Sequence, residues 1–550
     1  MTDPATKPAA HWRLARPTLG HTTLNLIIAS YIMAVLNTGF WARVVDALPD
    51  SRLQQGLMGV AFWALTILFL ELLGPWRLQK PVAAVLLIIA ASAQYYERTF
   101  GVLIDRDMVR NIFETTVTES RHLMTGGALA QIALTGVLPA LLIFWPKVRR
   151  PKVWHLIWRW PLGITVSLAL LIGALGVDYK AFSAVLRERH DLSSAYQPGA
   201  SVVAAVRFAR EEWGGPDPIA RPLGRDAHPG QALAGAKQPV LLVVFVGETA
   251  RAQNFGLDGY ERDTTPGLRA RNVINFSDAS SCGTSTAVSL PCMFSRLPQA
   301  DYSRSAFLAE ENLLDVLDHA GFAVEWFDNN TGDQRIATRT GWQRVDAALN
   351  PDACSVECTD EVFLPLIQDR LDTITQNTVL VLHMIGSHGP AYHLRVAPER
   401  ALFQPACETA QFSDCTPEQI VNAYDNTILE TDFVLSQAID MMAASDRVLP
   451  AMLYMSDHGE SLGENGLYLH AAPRFMAPAV QTRVPFVMWL DDDFAAALAM
   501  DETCLADAAN QSVSQDNFFH SVLGLLDITT AARSESLNLT YDCRTRPVQS

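Results

Sequence analysis

Five long apolar runs crowd the first 180 residues, at 22–41, 57–73, 82–96, 128–145 and 160–177. A helix needs about 20 apolar residues to cross a bilayer. The first, fourth and fifth runs meet that length; the second contains Glu71 and the third stops short at Glu97. So many runs in succession are hard to bury in a soluble core, so the pattern predicts an α-helical membrane domain of five transmembrane helices. No small-residue cleavage site follows the first run, which separates it from a signal peptide.

Basic residues orient these helices. Lys7, Arg13 and Arg16 precede the first run, and Arg77 and Lys80 part the second from the third. Lys147, Arg149, Arg150, Lys152 and Arg159 part the fourth from the fifth. These loops share one side, which the positive-inside rule makes the cytoplasm. Five crossings then export everything after residue 177. Cysteine usage agrees, because all eight cysteines lie after the last run, as expected in an oxidising compartment. Proximity favours the pairs Cys282–Cys292, Cys354–Cys358 and Cys407–Cys415, leaving Cys504–Cys543; no CxxC pair argues for a metal site instead. Charged residues are 18% of the chain and the net charge is −16, which excludes a nucleic-acid-binding surface as the main function.

The chain after the last run divides again. Residues 179–213 read as helical and partly amphipathic, and the Gly/Pro-rich stretch 214–238 reads as a linker or surface strap. The expected organisation is a membrane domain at 1–178 with an exported amphipathic loop at 97–124. A bridging helix and linker follow at 179–238, and a globular domain at 239–550. In the last, apolar runs at 240–246, 378–382, 451–455 and 484–490, with a weaker one at 322–327, read as strands. Continuous apolar strands separated by helical stretches predict an α/β domain with a mainly parallel sheet buried on both faces.

The residues just past the strand ends carry the chemistry. The first strand runs into Gly247-Glu248-Thr249, the strand at 451–455 into Ser456-Asp457-His458-Gly459, that at 378–382 through His383 to Ser387-His388-Gly389, and that at 322–327 into Asp328-Asn329-Asn330. Sites on open α/β sheets lie beyond the carboxyl ends of the strands. Glu248, Asp457 and His458 are ligand types suited to Zn2+, and three protein ligands with an open position is a catalytic pattern. The segment 281–292 is dense in hydroxyls, and a disulfide between its cysteines would clamp it; the pattern leaves Thr284, Ser285, Thr286 and Ser289 as alternative nucleophiles.

These motifs come in a specific order: residues 246–251 (VGETAR), Cys282 to Cys292 enclosing Thr-Ser-Thr, Ser387-His388-Gly389-Pro390, Tyr424-Asp425-Asn426-Thr427 and Ser456-Asp457-His458-Gly459-Glu460. Together they resemble the lipid A phosphoethanolamine transferases, a family that includes the mobile colistin resistance enzymes and belongs to the alkaline phosphatase/sulfatase superfamily. The resemblance covers nearly the whole chain. It implies Thr286 as nucleophile, zinc (one ion or two) held by Glu248, Thr286, Asp457 and His458, and roles for His388 and His470 in phosphoryl handling, proton transfer or a second zinc. It also implies headgroup contacts from Asn111, Thr115 and Glu119, whose helical spacing would place them on one face, and from Asn330. Family members commonly carry a Lys shortly after the Asn-Asn pair; here Gln334 stands there, and Arg335 at the next position would supply the charge for the headgroup. The implied reaction moves phosphoethanolamine from phosphatidylethanolamine to lipid A, with a monomeric enzyme in the bacterial inner membrane and its catalytic domain in the periplasm. The rival readings are transfer of phosphoethanolamine or phosphoglycerol to another periplasmic glycan, a sulfatase-like hydrolase, and a non-enzymatic sensor. The hydrolase would need Cys-x-Pro-x-Arg or its Ser equivalent, and the segment 282–292 lacks it.

Overall fold

The computed structural model describes residues 16–72, 77–115, 117–149, 153–215 and 218–545. They divide into two compact units, one from residues 1–98 and 126–203, the other from 99–125 and 204–550.

The first unit is helical. Arg52–Leu72 and Ile157–Gly176 are long and apolar enough to cross a membrane. The run at 22–41 forms not one helix but two, His21–Val35 and Thr38–Ala47, bent by 66° and counting as a third span if taken together. At the break the side chain of buried Asn37 accepts from the backbone N–H of Gln197 at 2.8 Å and donates to its carbonyl at 2.8 Å. The run at 82–96 lies in the 22-residue helix Gln79–Phe100, whose ends are polar, and the run at 128–145 in a shorter apolar helix, Gly126–Leu142. Leu24, Ile28 and Ile32 pack with Ile67, Leu70, Leu87 and Ala91 in this unit's core. Glu71, which interrupts the second run, is buried; its Oε1 accepts from Asn25 Nδ2 at 3.1 Å and its Oε2 lies 3.6 Å from His21 Nε2 inside the helix cluster.

The second unit is built on a seven-stranded sheet: β1 (Val240–Gly247), β2 (Ile274–Asn275), β3 (Ala323–Asp328), β4 (Gln343–Arg344), β5 (Thr378–His383), β6 (Leu449–Ser456) and β7 (Phe486–Leu490), in the order β2-β7-β6-β1-β5-β3-β4. The strands from β6 to β4 pair parallel, and every residue of β1, β5 and β6 is buried, as continuous apolar strands require. The expectation of a parallel strand at 484–490 is corrected. β7 runs antiparallel to both β6 and β2. The chain between 456 and 486 makes loops and short turns with no crossover helix, so it re-enters the sheet at the edge where it left.

The strap at 214–238 lies on this unit. Leu223 N–H donates to Glu311 Oε2 at 2.9 Å and Gly230 N–H to the Asp527 carbonyl at 2.6 Å. The disulfides join the three pairs that proximity favours and the remaining pair, Cys504–Cys543. The segment between two of the apolar runs belongs here too: helix Arg106–Glu114, capped by the Asp105 carboxylate, packs against helix Thr286–Met293.

Candidate metal and phosphoryl-transfer site

Strand register assembles the site. Gly247 at the end of β1 lies opposite Ser456 at the end of β6, so Glu248 and Asp457 leave the sheet side by side. The turn after Glu248 is held against a conformational cost. Thr249 has φ +50°, unusual for a β-branched residue. Its N–H donates to Asp457 Oδ1 at 3.2 Å, and the buried Tyr424 hydroxyl donates to its carbonyl at 2.7 Å while accepting from Arg251 N–H at 2.9 Å.

The structure distinguishes the hydroxyls left open by sequence. Thr284 Oγ1 donates to the Ala472 carbonyl at 2.8 Å, and Ser289 Oγ accepts from Gly283 N–H at 3.0 Å, both structural bonds. Thr286 opens helix Thr286–Met293 inside the Cys282–Cys292 loop. Its Oγ1 donates to Glu248 Oε2 at 3.0 Å and lies 3.4 Å from His458 Nε2. Helix-first position adds the positive end of the backbone dipole.

Glu248, Asp457 and His458 each offer one ligand atom, all within 4.8 Å of one another, and all three are fully buried. Asp457 Oδ2 is buried and has no hydrogen-bond partner among the described residues. His458 Nδ1 faces the Gly459 carbonyl at 3.0 Å, which accepts only, so the proton sits on Nδ1 and Nε2 carries the lone pair that could hold a metal. Burial pushes the Asp457 carboxyl up and the His458 imidazole well down, each away from its charged form. Two carboxylates, an imidazole and a hydroxyl in a dry pocket fit a divalent zinc ion, whose charge would stabilise both carboxylates.

A supporting layer behind this cluster was not assigned from sequence. Asp328 ends β3 opposite His383 at the end of β5, and both are fully buried, with His383 Nδ1 at 2.7 Å from Asp328 Oδ2. Burial alone would lower the His383 pKa, but the Asp328 carboxylate, together with Asp457 and Asp360, raises the imidazole above its ordinary value. Asn330 Nδ2 donates to Glu248 Oε2 at 2.7 Å and to the Met384 carbonyl at 2.9 Å. Asn330 thus touches the ligand cluster itself. Arg335 stands later in the same loop, half-buried, where Gln334 and Arg335 both adopt left-handed backbone.

His388 and His470 come together, ring centroids 5.2 Å apart, and His470 lies 4.6 Å from His458. Asn111 and Thr115 do not lie within one continuous helix. The helix ends at Glu114, Thr115 turns out of it while its N–H and hydroxyl both donate to the Asn111 carbonyl, and a separate helix, Val117–Leu123, follows. The Glu119 side chain lies outside the described residues.

Known proteins match this architecture from end to end. The sulfatase family pattern fits residues 241–528, and the pattern described as phosphoethanolamine transferase EptA/EptB fits residues 62–213. The chain is 37% identical to phosphoethanolamine transferase EptA of Escherichia coli K12, over 96% of this chain and 98% of that one. It is 33% identical to phosphatidylethanolamine transferase Mcr-1 of Escherichia coli, over 91% and 94% of the two. The solved integral membrane lipooligosaccharide phosphoethanolamine transferase A of Neisseria meningitidis superposes with a TM-score of 0.92 at 33% identity, covering 96% of this chain and all of that one. A membrane domain followed by a sulfatase-like domain, in this order and over this length, places the chain in the lipid A phosphoethanolamine transferase family of the alkaline phosphatase/sulfatase superfamily.

Proposed function

We propose that this enzyme moves phosphoethanolamine from phosphatidylethanolamine to lipid A through a covalent intermediate on Thr286. The observation that carries this reading is the Thr286 hydroxyl, 3.0 Å from Glu248 Oε2 and 3.4 Å from His458 Nε2 within a buried ligand cluster. Zinc held by Glu248, Thr286, Asp457 and His458, one ion or two at the whole site, would supply positive charge that neutralises the transferring group and acidifies the hydroxyl. The Thr286 oxygen forms a bond to the donor phosphorus, the bond to the diacylglycerol oxygen breaks, and diacylglycerol leaves with a proton. A phosphate hydroxyl of lipid A then gives up its proton and attacks that phosphorus through its oxygen, and the Thr286 oxygen leaves, taking up a proton. Glu248 orients the hydroxyl, and His388 and His470 carry the protons. Asn111, Thr115, Glu119 and Arg335 receive the lipid headgroup.

Residues 1–178, with the loop 97–124, would form the membrane domain, spanning the bacterial inner membrane five times from a cytoplasmic N-terminus. Residues 179–238 would bridge to a periplasmic catalytic domain at 239–550, the whole acting as a monomer on two lipids that do not leave the bilayer readily. Adding an ethanolamine cation to an anionic lipid A phosphate weakens attraction for cationic peptides such as polymyxin.

Thr286→Ala tests the scheme in the purified full-length protein with headgroup-labelled phosphatidylethanolamine. The label on protein and the transfer to lipid A both disappear. Undiminished protein labelling identifies another nucleophile. Mass spectrometry showing lipid A unmodified and another glycan labelled overturns the acceptor while keeping the donor half.

A further inference from the structure

We propose that Glu460 and Tyr392 are positioning residues for His470, fixing which of its ring nitrogens carries the proton and which meets the transferring group. The inference rests on the role given above to His470. Glu460 is fully buried, and each of its oxygens serves one partner: Oε2 lies 2.9 Å from His470 Nδ1, and Oε1 accepts from the Tyr392 hydroxyl at 2.7 Å. A carboxylate only accepts, so Nδ1 of His470 carries the hydrogen and Nε2 carries the lone pair. The same carboxylate–imidazole arrangement orients metal-binding and proton-transferring histidines in general.

Three separate features hold this geometry. Gly389, beside His388, has no room for a side chain, because a Cβ there would meet Glu460 Oε1 and the Tyr392 hydroxyl at 2.9 Å. Leu469 and Ala471, on either side of His470, both adopt φ +63°, a costly conformation for residues with a Cβ. That strained loop is clamped on both flanks. Gln481 Nε2 donates to the Leu469 carbonyl at 3.0 Å, Thr284 Oγ1 donates to the Ala472 carbonyl at 2.8 Å, and Ala471 N–H donates to the Thr284 carbonyl at 2.7 Å. Backbone and ring are thus constrained independently toward one orientation, beside the hydroxyl-bearing segment that holds Thr286.

Transfer kinetics of the full-length protein test the proposal, using labelled phosphatidylethanolamine and lipid A. Glu460→Met, Glu460→Gln and Tyr392→Phe are each made alone and in a His470→Ala background, with zinc content and melting temperature measured throughout. Glu460→Met lowers kcat about 10- to 100-fold with little change in KM. Glu460→Gln recovers part of the loss, because its carbonyl can still accept the Nδ1 proton. Neither substitution costs anything further once His470 is alanine, the mark of an effect transmitted through that ring. An unchanged kcat in Glu460→Met, or a full additional loss in the His470→Ala background, overturns the proposal. The 15N shifts of labelled histidine give a readout independent of turnover: His470 is protonated at Nδ1 in the parent protein and a tautomer mixture in Glu460→Met. A parent protein protonated at Nε2 overturns the proposal. If His470→Ala transfers at full rate, the catalytic role of His470 fails, while the 15N shifts still report whether Glu460 holds the ring.

Discussion

Asn330 offers a sharp discrimination between holding a metal ligand and holding a substrate. Its side-chain amide donates to Glu248 Oε2 at 2.7 Å, the same oxygen that accepts from Thr286, and to the Met384 carbonyl at 2.9 Å. Asn330→Ala removes both bonds, and with them one of the hydrogen bonds that hold the Glu248 carboxylate in place. A hydrogen bond to a charged group contributes about 1.5–3 kcal/mol. At about 1.4 kcal/mol per factor of ten, zinc affinity falls about 10- to 150-fold. The assay is competition for zinc between the full-length protein and a chromophoric chelator at fixed pH, followed by transfer kinetics at saturating zinc. The expected result is a raised zinc Kd, with transfer largely restored by excess metal. An unchanged zinc Kd together with a raised KM for phosphatidylethanolamine refutes the reasoning and makes Asn330 a headgroup contact.

Two further perturbations probe the same unit. Gly386→Ala places a Cβ 2.6 Å from the Glu248 carbonyl oxygen at a residue with φ +48°, so the left-handed penalty of about 1–2 kcal/mol adds to a clash with backbone; the melting temperature drops by several degrees and zinc is lost more readily to chelator, and a parent-like melting curve contradicts this. His520 is buried, accepts the Ser534 N–H at Nδ1 at 2.9 Å, and is pushed by burial down to about 4. The unfolded chain protonates it near about 6.5, so the neutral folded form contributes stability above that pH. That contribution, up to about 3 kcal/mol, disappears as pH falls from about 6.5 to 4. His520→Asn, which can still accept the bond, flattens the acid limb of the stability curve, and identical acid limbs in parent and variant would disprove the assignment.

The sequence made strand ends readable because each continuous apolar run stops at residues that cannot stay in a dry sheet: Gly247-Glu248, His383, and Ser456-Asp457-His458. Local cysteine pairs were readable because short loops leave few partners. Direction was not readable, since a buried strand looks alike either way, and 486–490 proved antiparallel because of a loop that stays at one edge. The Asp328–His383 pair escaped notice because its members become neighbours only through inter-strand register, although the strand-terminal position of each was the available signal. The bond from Asn330 to Glu248 was not readable, since a loop amide carries no mark of which carboxylate it faces. The end of helix Arg106–Glu114 at the β-branched Thr115 was not readable from the spacing of Asn111 and Thr115.

Helix Arg106–Glu114 leans on the helix that begins with Thr286, yet it is made nearly two hundred residues before its neighbour and is flanked by stretches of the other unit. The ribosome delivers it long before the sheet exists. Its first partner comes with residues 204–213, where Phe208 stacks on Phe113 at 5.1 Å and Glu211 pairs with Arg110 at 3.0 Å, and the threonine helix joins only once the C-terminal half has been translated. A fragment beginning at the sheet would fold without this helix and bare the outer side of the threonine helix to water, so the catalytic body is one that no single cut of the polypeptide can release intact.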